Sequence, residues 1–172
     1  MYIAQKLRSQ SVSAYLVYMY QVEDLIRAYG LDADRIAVEY LPRFGYDEEQ
    51  MKEAKEWYES LARMMKEEGK EETGHVQVVR NTIELLEDHH QELLADSDEQ
   101  DYRAAYYKAL PHIVALRTQG NNKDKKEMEN CIDALYGATL LKMQGKELSL
   151  GTQAALKPIS ELLRLGEEKD NS

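Results

Sequence analysis

The chain has 172 residues, of which 43% are hydrophobic and 31% are charged, and its formal net charge at pH 7 is −10. This length suits one compact domain with a sizeable core, and the composition is ordinary for a globular protein. Nine Gly and three Pro are too few for an all-β fold with many tight turns. The single cysteine, Cys131, excludes an internal disulfide and suits a reducing compartment.

The negative charge is concentrated in the middle of the chain. Residues 31–100 contain 20 acidic and 8 basic side chains, whereas the segments on either side each have a net charge of +1. Such an acidic surface repels phosphate backbones, so we predict no nucleic-acid partner. The basic cluster of Lys123, Lys125 and Lys126 is interrupted by Asp124 and indicates a solvated helix start.

Residues 12–22 form an apolar run in which Ser13 and Gln21 are the clearly polar side chains. A helix that is apolar on nearly all sides belongs in the interior of a protein. The run is well short of the roughly 20 residues that span a bilayer. It also lacks a small-residue cleavage site before Glu23 and Asp24. We therefore predict a central helix of a cytoplasmic protein with no membrane association.

Helical periodicity predicts seven helices and no strand. The first begins near Ser9 or Ser11 and ends at Gly30, because serine caps helix starts and glycine caps helix ends. The second helix runs from about Asp34 to just before Pro42, the third from Asp47 to Gly69, and the fourth from Thr73 or Gly74 to Asp96. The fifth runs from Asp96 to the Gly120–Asn122 turn, the sixth from that turn to Gly145, and the seventh from Thr152 to Leu165.

These elements predict an all-α fold, because no segment has the period of a strand. The short connections favour a single-domain antiparallel bundle of about six main helices plus a short one, with the first helix central. We predict that the domain covers residues 1–166. Residues 167–172 are predicted to be a polar C-terminal tail.

Three segments resemble a known family. They read Met-Tyr-Ile-Ala-Gln-Lys-Leu-Arg at 1–8, Tyr-Gln-Val-Glu-Asp-Leu-Ile-Arg-Ala at 20–28, and Ala-Leu-Tyr-Gly at 134–137. They are similar to an uncharacterised bacterial family, one of the domain-of-unknown-function families of short, acidic, all-helical proteins. The resemblance covers nearly the whole chain and implies a helical fold and a bacterial cytoplasmic origin. It implies no activity, cofactor or site residue.

Glu23 and Arg27 stand four residues apart on the first helix and therefore share a face. Because a buried carboxylate requires a partner, two interpretations remain open. The pair either fixes the register of the helices as a structural ion pair or lines a polar pocket that binds a small molecule or a metal.

Tyrosine is unusually frequent, with 12 Tyr against one Phe and one Trp. Most of these side chains are expected in the core, where their hydroxyls require hydrogen-bond partners. Tyr18 and Tyr107 are the predicted exceptions, since Tyr15 and Tyr106 compete for the inward positions. Either could line a ligand groove or a dimer interface, where aromatic side chains are enriched.

Glu87 and His90 have the Glu-x-x-His spacing that di-iron carboxylate bundles use, because residues i and i+3 share a helix face. A complete site of that kind needs a second such motif on another helix. Glu72 and His75 repeat the spacing, but they lie at the start of the same helix. His112 is available as a lone third ligand. The alternative is that His90 is a hydrogen-bonded core histidine.

No motif in the sequence identifies a named chemistry: there is no phosphate-binding glycine loop, nucleophile elbow or paired-cysteine motif. We therefore expect a non-catalytic cytoplasmic protein that acts by self-association, as a homo-oligomer, or by binding a protein partner, and we predict no cofactor. The alternative is a helical bundle that binds a metal or small molecule through Glu23, Glu87 and His90, with hydrolase or oxidoreductase activity.

Overall fold

The computed structural model describes residues 1–119 and 122–170. Within these ranges the chain is helical and has no strand, which confirms the all-α class. The helices are α1 (Tyr2–Gln10), α2 (Val12–Ala28), α3 (Ala33–Glu39), α4 (Glu48–Glu67), α5 (Gln77–Ala95), α6 (Gln100–Arg117), α7 (Glu127–Met143) and α8 (Leu150–Asp170). Short 3-10 turns form at Leu41–Phe44 and Asn122–Asp124. Two positions of the predicted Gly120–Asn122 turn, and residues 171–172 of the predicted tail, lie outside the described residues.

The number of helices differs from the prediction because the residues before Ser11 form a helix of their own. Helix α1 ends at Gln10, and Arg8 lies in its last turn, where a cation interacts favourably with the helix dipole. Ser11 then starts α2: its hydroxyl accepts a hydrogen bond from the backbone N–H of Ala14 at 3.2 Å. The predicted serine cap is therefore present, and the apolar run that follows it is helical.

Helix α2 contains the apolar run and is almost wholly enclosed. Asp24 and Ala28 are the exposed residues among its seventeen positions. Leu16, Met19 and Ile26 are among its buried side chains. This burial agrees with the prediction that a helix apolar on nearly all sides lies in the interior.

The residues group into two compact units, and the first contains Met1–Gln10 and Tyr18–Asn81. In this unit α3 packs against α4. Helix α4 begins with a capping box, in which the Asp47 carboxylate and the Gln50 side chain each accept a hydrogen bond from the other residue's backbone N–H. Its core consists of side chains that recur at helical spacing and includes Met19, Val22, Ile26, Ile36, Ala54, Tyr58, Leu61 and Met65.

The second unit contains Ser11–Val17 and Thr82–Ser172. Here α6 packs against α7 and α8, and α7 packs against α8. Its core includes Leu16, Tyr102, Ala109, Ile113, Met128, Cys131, Ile132, Ile159 and Leu162. Burial raises the pKa of the Cys131 thiol far above its ordinary value, as expected for a structural rather than a reactive cysteine. The prediction of one domain over residues 1–166 stays a prediction.

Helix α8 continues to Asp170 instead of ending before Glu167. Its last residues are held by polar contacts within the second unit. The Glu167 carboxylate accepts hydrogen bonds from the Ser13 backbone N–H at 2.9 Å and from the hydroxyls of Ser11 and Ser13. Lys169 forms ion pairs with Glu99 and Asp101. These contacts explain why residues predicted to be a polar tail are helical as far as position 170.

In the described residues, no helix combines the length and the apolar character needed to cross a membrane.

Candidate metal centre

Three side chains of the second unit, Glu87, His90 and Glu127, converge on one point. One ligand atom from each lies within 4.8 Å of the other two. Glu87 and His90 are one turn apart on α5, and Glu127 is the first residue of α7. Glu87 is 4% exposed and His90 1% exposed, whereas Glu127 is half-buried. The i, i+3 spacing on α5 therefore provides two candidate ligands, and the start of α7 provides the third.

The Glu87 carboxylate is fixed by hydrogen bonds to both of its oxygens. Oε1 accepts the backbone N–H of Met128 at 3.0 Å, and Oε2 accepts the Gln91 side-chain amide at 2.8 Å. The first N–H groups of a helix have no intrahelical acceptor, so Glu87 acts as a cap for α7 supplied by another helix. Each oxygen still has a lone pair, so these bonds orient the carboxylate without preventing it from binding a cation.

The His90 ring has a partner at each nitrogen. Nδ1 lies 2.6 Å from the Tyr102 hydroxyl, and Nε2 lies 3.4 Å from Oε1 of Glu127. If Nε2 bound a metal, the ring proton would reside on Nδ1, where the Tyr102 hydroxyl could accept it. Such outer hydrogen bonds are typical of metal-binding histidines because they fix the tautomer and the ring orientation.

The hydrogen bond between His90 and Glu127 is a weak one, because its length of 3.4 Å exceeds the usual N···O separation of about 2.9–3.0 Å. The observed separation equals the distance expected between two ligand atoms that bind the same ion. Two atoms that each lie about 2.1 Å from a tetrahedral metal are about 3.4 Å apart. Because the three groups as a whole span up to 4.8 Å, a bound ion would draw them closer together.

Glu127 has an outer partner as well, since the Tyr106 hydroxyl donates to its Oε2 at 2.7 Å. The hydrogen bond from His90 lowers the pKa of Glu127, and the bond from Tyr106 acts in the same direction against the effect of burial. Burial, together with the acceptor Glu127, raises the pKa of the Tyr106 hydroxyl well above its ordinary value. Glu127 is therefore a carboxylate at neutral pH, and Tyr106 remains a donor to it.

A cavity of about 330 Å³ opens beside this cluster. Its lining includes two of the candidate ligands, Glu87 and Glu127, and two cations, Arg117 and Lys126; Asp88 and Gln91 complete it. Each candidate ligand is thus hydrogen-bonded to another protein group, and the two carboxylates also line the cavity. A mixed set of one imidazole and two carboxylates suits zinc, manganese or ferrous iron better than a soft ion that prefers sulfur ligands.

The candidate pair Glu23 and Arg27 does not form, which corrects the expectation from their spacing. Glu23 is 1% exposed, and its oxygens accept the backbone N–H of Val76 at 2.9 Å and lie 2.8 Å from Nδ1 of His75. Arg27 instead pairs with Asp24 at 2.9 Å and donates to the Lys70 carbonyl. The orphan N–H group at the start of α5 competes successfully for the carboxylate, so Glu23 is sealed within the first unit.

Other candidates also have different surroundings from those expected. His75, which repeats the Glu-x-x-His spacing with Glu72, stacks on Tyr20 with ring centroids 4.0 Å apart and bonds to Glu23. His112 lies on α6 and is not a member of the converging group found in the described residues.

The two tyrosine exceptions differ from each other. Burial raises the pKa of Tyr18 to about 12, although its hydrogen bond with Tyr58 acts in the opposite direction. Tyr18 is therefore half-buried and pairs with the buried Tyr58 in the first unit. Tyr107 is 64% exposed on α6, although its ring still contacts that of Tyr106 at a centroid distance of 5.7 Å.

Sequence reasoning missed Glu127 and the outer partners Tyr102 and Tyr106. Glu127 has the ordinary signature of an acidic residue in the first turn of a helix, which also occurs at many helices without any ligand. The spacing of Tyr102 and Tyr106, four residues apart on α6, was a usable signal because it places two hydroxyls on one face.

Comparison with known proteins gives a family and no function. Neither the curated proteins nor the solved structures include a significant match to this sequence. A family model described as "Domain of unknown function (DUF4924)" matches residues 1–169. This agrees with the resemblance of the opening, second and seventh helices to a family of that kind. Because the match spans almost the entire sequence, the chain belongs to the DUF4924 family.

Proposed function

We propose that this chain is a bacterial cytoplasmic protein that binds one divalent transition-metal ion through Glu87, His90 and Glu127. The observation that carries the proposal is the convergence of one nitrogen and two carboxylate ligand atoms within 4.8 Å beside an open cavity. The bacterial origin rests on the family resemblance. The cytoplasmic location is supported by the buried free thiol of Cys131, which suits a reducing compartment.

The charge of the cluster supports a cation. Three carboxylates, Glu87, Asp88 and Glu127, line the cavity against two cations, Arg117 and Lys126, so a net negative charge remains beside His90. Burying such charge is unfavourable unless a counter-charge or a metal is present. Glu127 retains its negative charge at neutral pH, because hydrogen bonds from His90 and Tyr106 lower its pKa. A divalent ion would neutralise the cluster without new protein contacts.

The outer hydrogen bonds provide the second argument. Met128 and Gln91 hold Glu87, Tyr102 holds His90, and Tyr106 holds Glu127. All three candidate ligands are therefore oriented before an ion arrives, which reduces the conformational entropy lost on binding.

Metal analysis tests this proposal directly. Protein purified without a metal-affinity tag is measured for bound metals, and the stripped protein is titrated with Co²⁺, Mn²⁺ and Zn²⁺ by calorimetry. We expect a stoichiometry of one, and a Co²⁺ visible spectrum that indicates imidazole and oxygen ligands. Metal binding should also raise the melting temperature, because the ion binds the folded state preferentially.

Matched variants distinguish metal binding at this site from nonspecific attraction of cations to an acidic protein. His90→Gln and Glu127→Gln should each abolish the Co²⁺ spectrum, whereas Glu84→Gln, which removes an exposed charge from the same helix α5, should leave it unchanged. A cobalt spectrum that survives in both ligand variants, or a stripped wild type that binds none of the three ions, would refute the proposal.

Self-association is a second candidate, favoured by one specific surface. On α6, Tyr107 is 64% exposed and Val114 is 49% exposed, and a spacing of seven residues places both on the same face. Aromatic and apolar side chains of this kind suit a contact with a second copy of the chain. Light scattering over a range of concentrations should show a dimer in wild type and a monomer in Tyr107→Glu with Val114→Glu. A concentration-independent monomer in wild type would exclude it.

A further inference from the structure

Two cations border the same cavity as the candidate metal ligands. Arg117 is the last residue of α6, and Lys126 directly precedes α7. The Nε atom of Arg117 is buried and has no hydrogen-bond partner in the part of the chain that the structure describes, whereas Nη2 donates to the Lys125 carbonyl at 3.2 Å. A buried donor without an acceptor is unfavourable, so this guanidinium is anchored at one nitrogen and still lacks an acceptor at another.

The electrostatics of the cavity depend on whether a metal is bound. Glu87, Asp88 and Glu127 contribute negative charge to its lining and would repel an anion in the metal-free protein. A divalent ion bound by Glu87, His90 and Glu127 would compensate two of these carboxylates. Arg117 and Lys126 would then make the cavity attractive to a negative group.

We propose that the metal-loaded protein binds a small oxyanion, a phosphate or carboxylate group, between the metal, Arg117 and Lys126. This inference rests on the proposed metal site and adds the chemical class of its ligand. Three protein ligands leave a coordination position open, and an anionic oxygen can occupy it. Arginine presents a fork of donors that matches phosphate and carboxylate, and lysine adds a point charge.

The size of the cavity suits a small molecule. Its volume of about 330 Å³ lies at the lower end of the range of small-molecule sites. The acidic charge of residues 31–100 argues against a nucleic-acid backbone as the source of the phosphate. Both features favour a free metabolite-sized anion over a polymer as the occupant.

Coupled binding is the decisive property. Phosphate binding to the Co²⁺-loaded and the metal-stripped protein is measured by equilibrium dialysis, with the same free Co²⁺ in the protein-free chamber as a control. Acetate is tested in a parallel series to distinguish the two oxyanions. We expect metal loading to tighten oxyanion binding by about tenfold or more. By linkage, the oxyanion should tighten metal binding by the same factor. The Co²⁺ spectrum should shift when the oxyanion binds.

Three variants assign the effect to the two cations. Lys126→Gln changes an exposed side chain and is expected to fold normally, and Arg117→Lys retains the charge but not the fork. Each should weaken oxyanion binding by about three- to tenfold while leaving the affinity for Co²⁺ alone within about threefold. Lys108→Gln, an exposed lysine of α6 that does not line the cavity, serves as the matched control and should change neither affinity.

The outcomes distinguish the two proposals. Normal Co²⁺ binding with equal oxyanion affinity in loaded and stripped protein would overturn the oxyanion proposal and leave the metal site intact. The oxyanion proposal is also overturned if Lys126→Gln and Arg117→Lys behave like Lys108→Gln. Failure to bind Co²⁺ would overturn both proposals, because the second depends on the first. Preference for acetate over phosphate, with coupling retained, would identify the ligand class as a carboxylate.

Discussion

Glu87 on α5 accepts the backbone N–H of Met128 at the start of α7, with an oxygen–nitrogen distance of 3.0 Å. In the first unit, Glu23 on α2 accepts the backbone N–H of Val76 at the start of α5 in the same way, at 2.9 Å. Each unit therefore uses a buried glutamate to satisfy an orphan N–H group at the start of a different helix. Buried carboxylates in this chain have a structural task whether or not they bind a ligand.

Replacing Glu87 should lower stability in the metal-free protein. Glu87→Ala removes the acceptor for the Met128 N–H and leaves that buried donor unpaired, so we expect a loss of about 1–3 kcal/mol in the free energy of unfolding. Urea denaturation of stripped protein measures it. Glu84→Ala removes an exposed glutamate from the same helix and should change stability by less than about 0.5 kcal/mol. Equal effects of the two variants would contradict the capping role.

The lowered pKa of Glu127 predicts a specific pH dependence. A carboxyl group with a lower pKa in the folded state stabilises that state above its unfolded pKa, and the contribution is lost as the pH falls through the folded value. Wild type should therefore lose stability below about pH 4.5, the ordinary value for this group, more steeply than Glu127→Gln. Urea denaturation between pH 3 and 7 checks this. Parallel curves for the two proteins would contradict it.

Tyr102→Phe should weaken metal binding without removing a ligand. The variant deletes the hydroxyl that lies 2.6 Å from Nδ1 of His90 and therefore frees the ring to rotate or change tautomer. Loss of such an outer partner typically weakens metal affinity by about 10–100-fold. Calorimetry with Co²⁺ measures the change, and Tyr107→Phe is the control because its side chain is largely exposed. If the control and the variant have the same affinity, the hydroxyl does not orient the ligand.

Glu23 and His75 should be energetically coupled. Their side chains are 2.8 Å apart, and Glu23 is almost completely buried. In a double-mutant cycle with Glu23→Gln and His75→Asn, we expect an interaction energy of about 0.5–3 kcal/mol. A parallel cycle with Glu23→Gln and Arg27→Gln should give a value close to zero, since Arg27 pairs with Asp24. A larger interaction energy for Glu23 with Arg27 than for Glu23 with His75 would instead support the ion pair that the four-residue spacing predicts.

The sequence predicted the local features of the fold well. The apolar run of α2, the capping box at Asp47 and the serine at position 11 each depend on neighbouring residues, so periodicity and capping rules were sufficient. Helix α1 was missed because it has only nine residues, so that its apolar side chains Ile3, Ala4 and Leu7 repeat over little more than one turn. The end of α8 was missed because its stability comes from Glu167 and Lys169, whose partners are distant in sequence.

The candidate site was predictable only in part, for the same reason. Glu87 and His90 are neighbours on one helix, and their spacing identified them as a pair. Glu127 joins them from α7 through tertiary packing, which no local pattern encodes. The Glu23–Arg27 expectation was wrong because the four-residue spacing cannot reveal that a helix start competes for the carboxylate. Spacing reports which groups share a face, but not which partner each group selects.

The bonds of Glu167 to Ser11 and Ser13 have a consequence for the order in which the protein folds. They join residues separated by at least 154 positions, so the start of α2 cannot acquire these partners until residue 167 has been synthesised. Contacts of such long sequence separation form late, because a long loop must close first. Nascent chains halted before position 167 should therefore leave the start of α2 accessible to hydrogen exchange. The last turns of α8 therefore provide the hydrogen-bond acceptor for the first residues of α2.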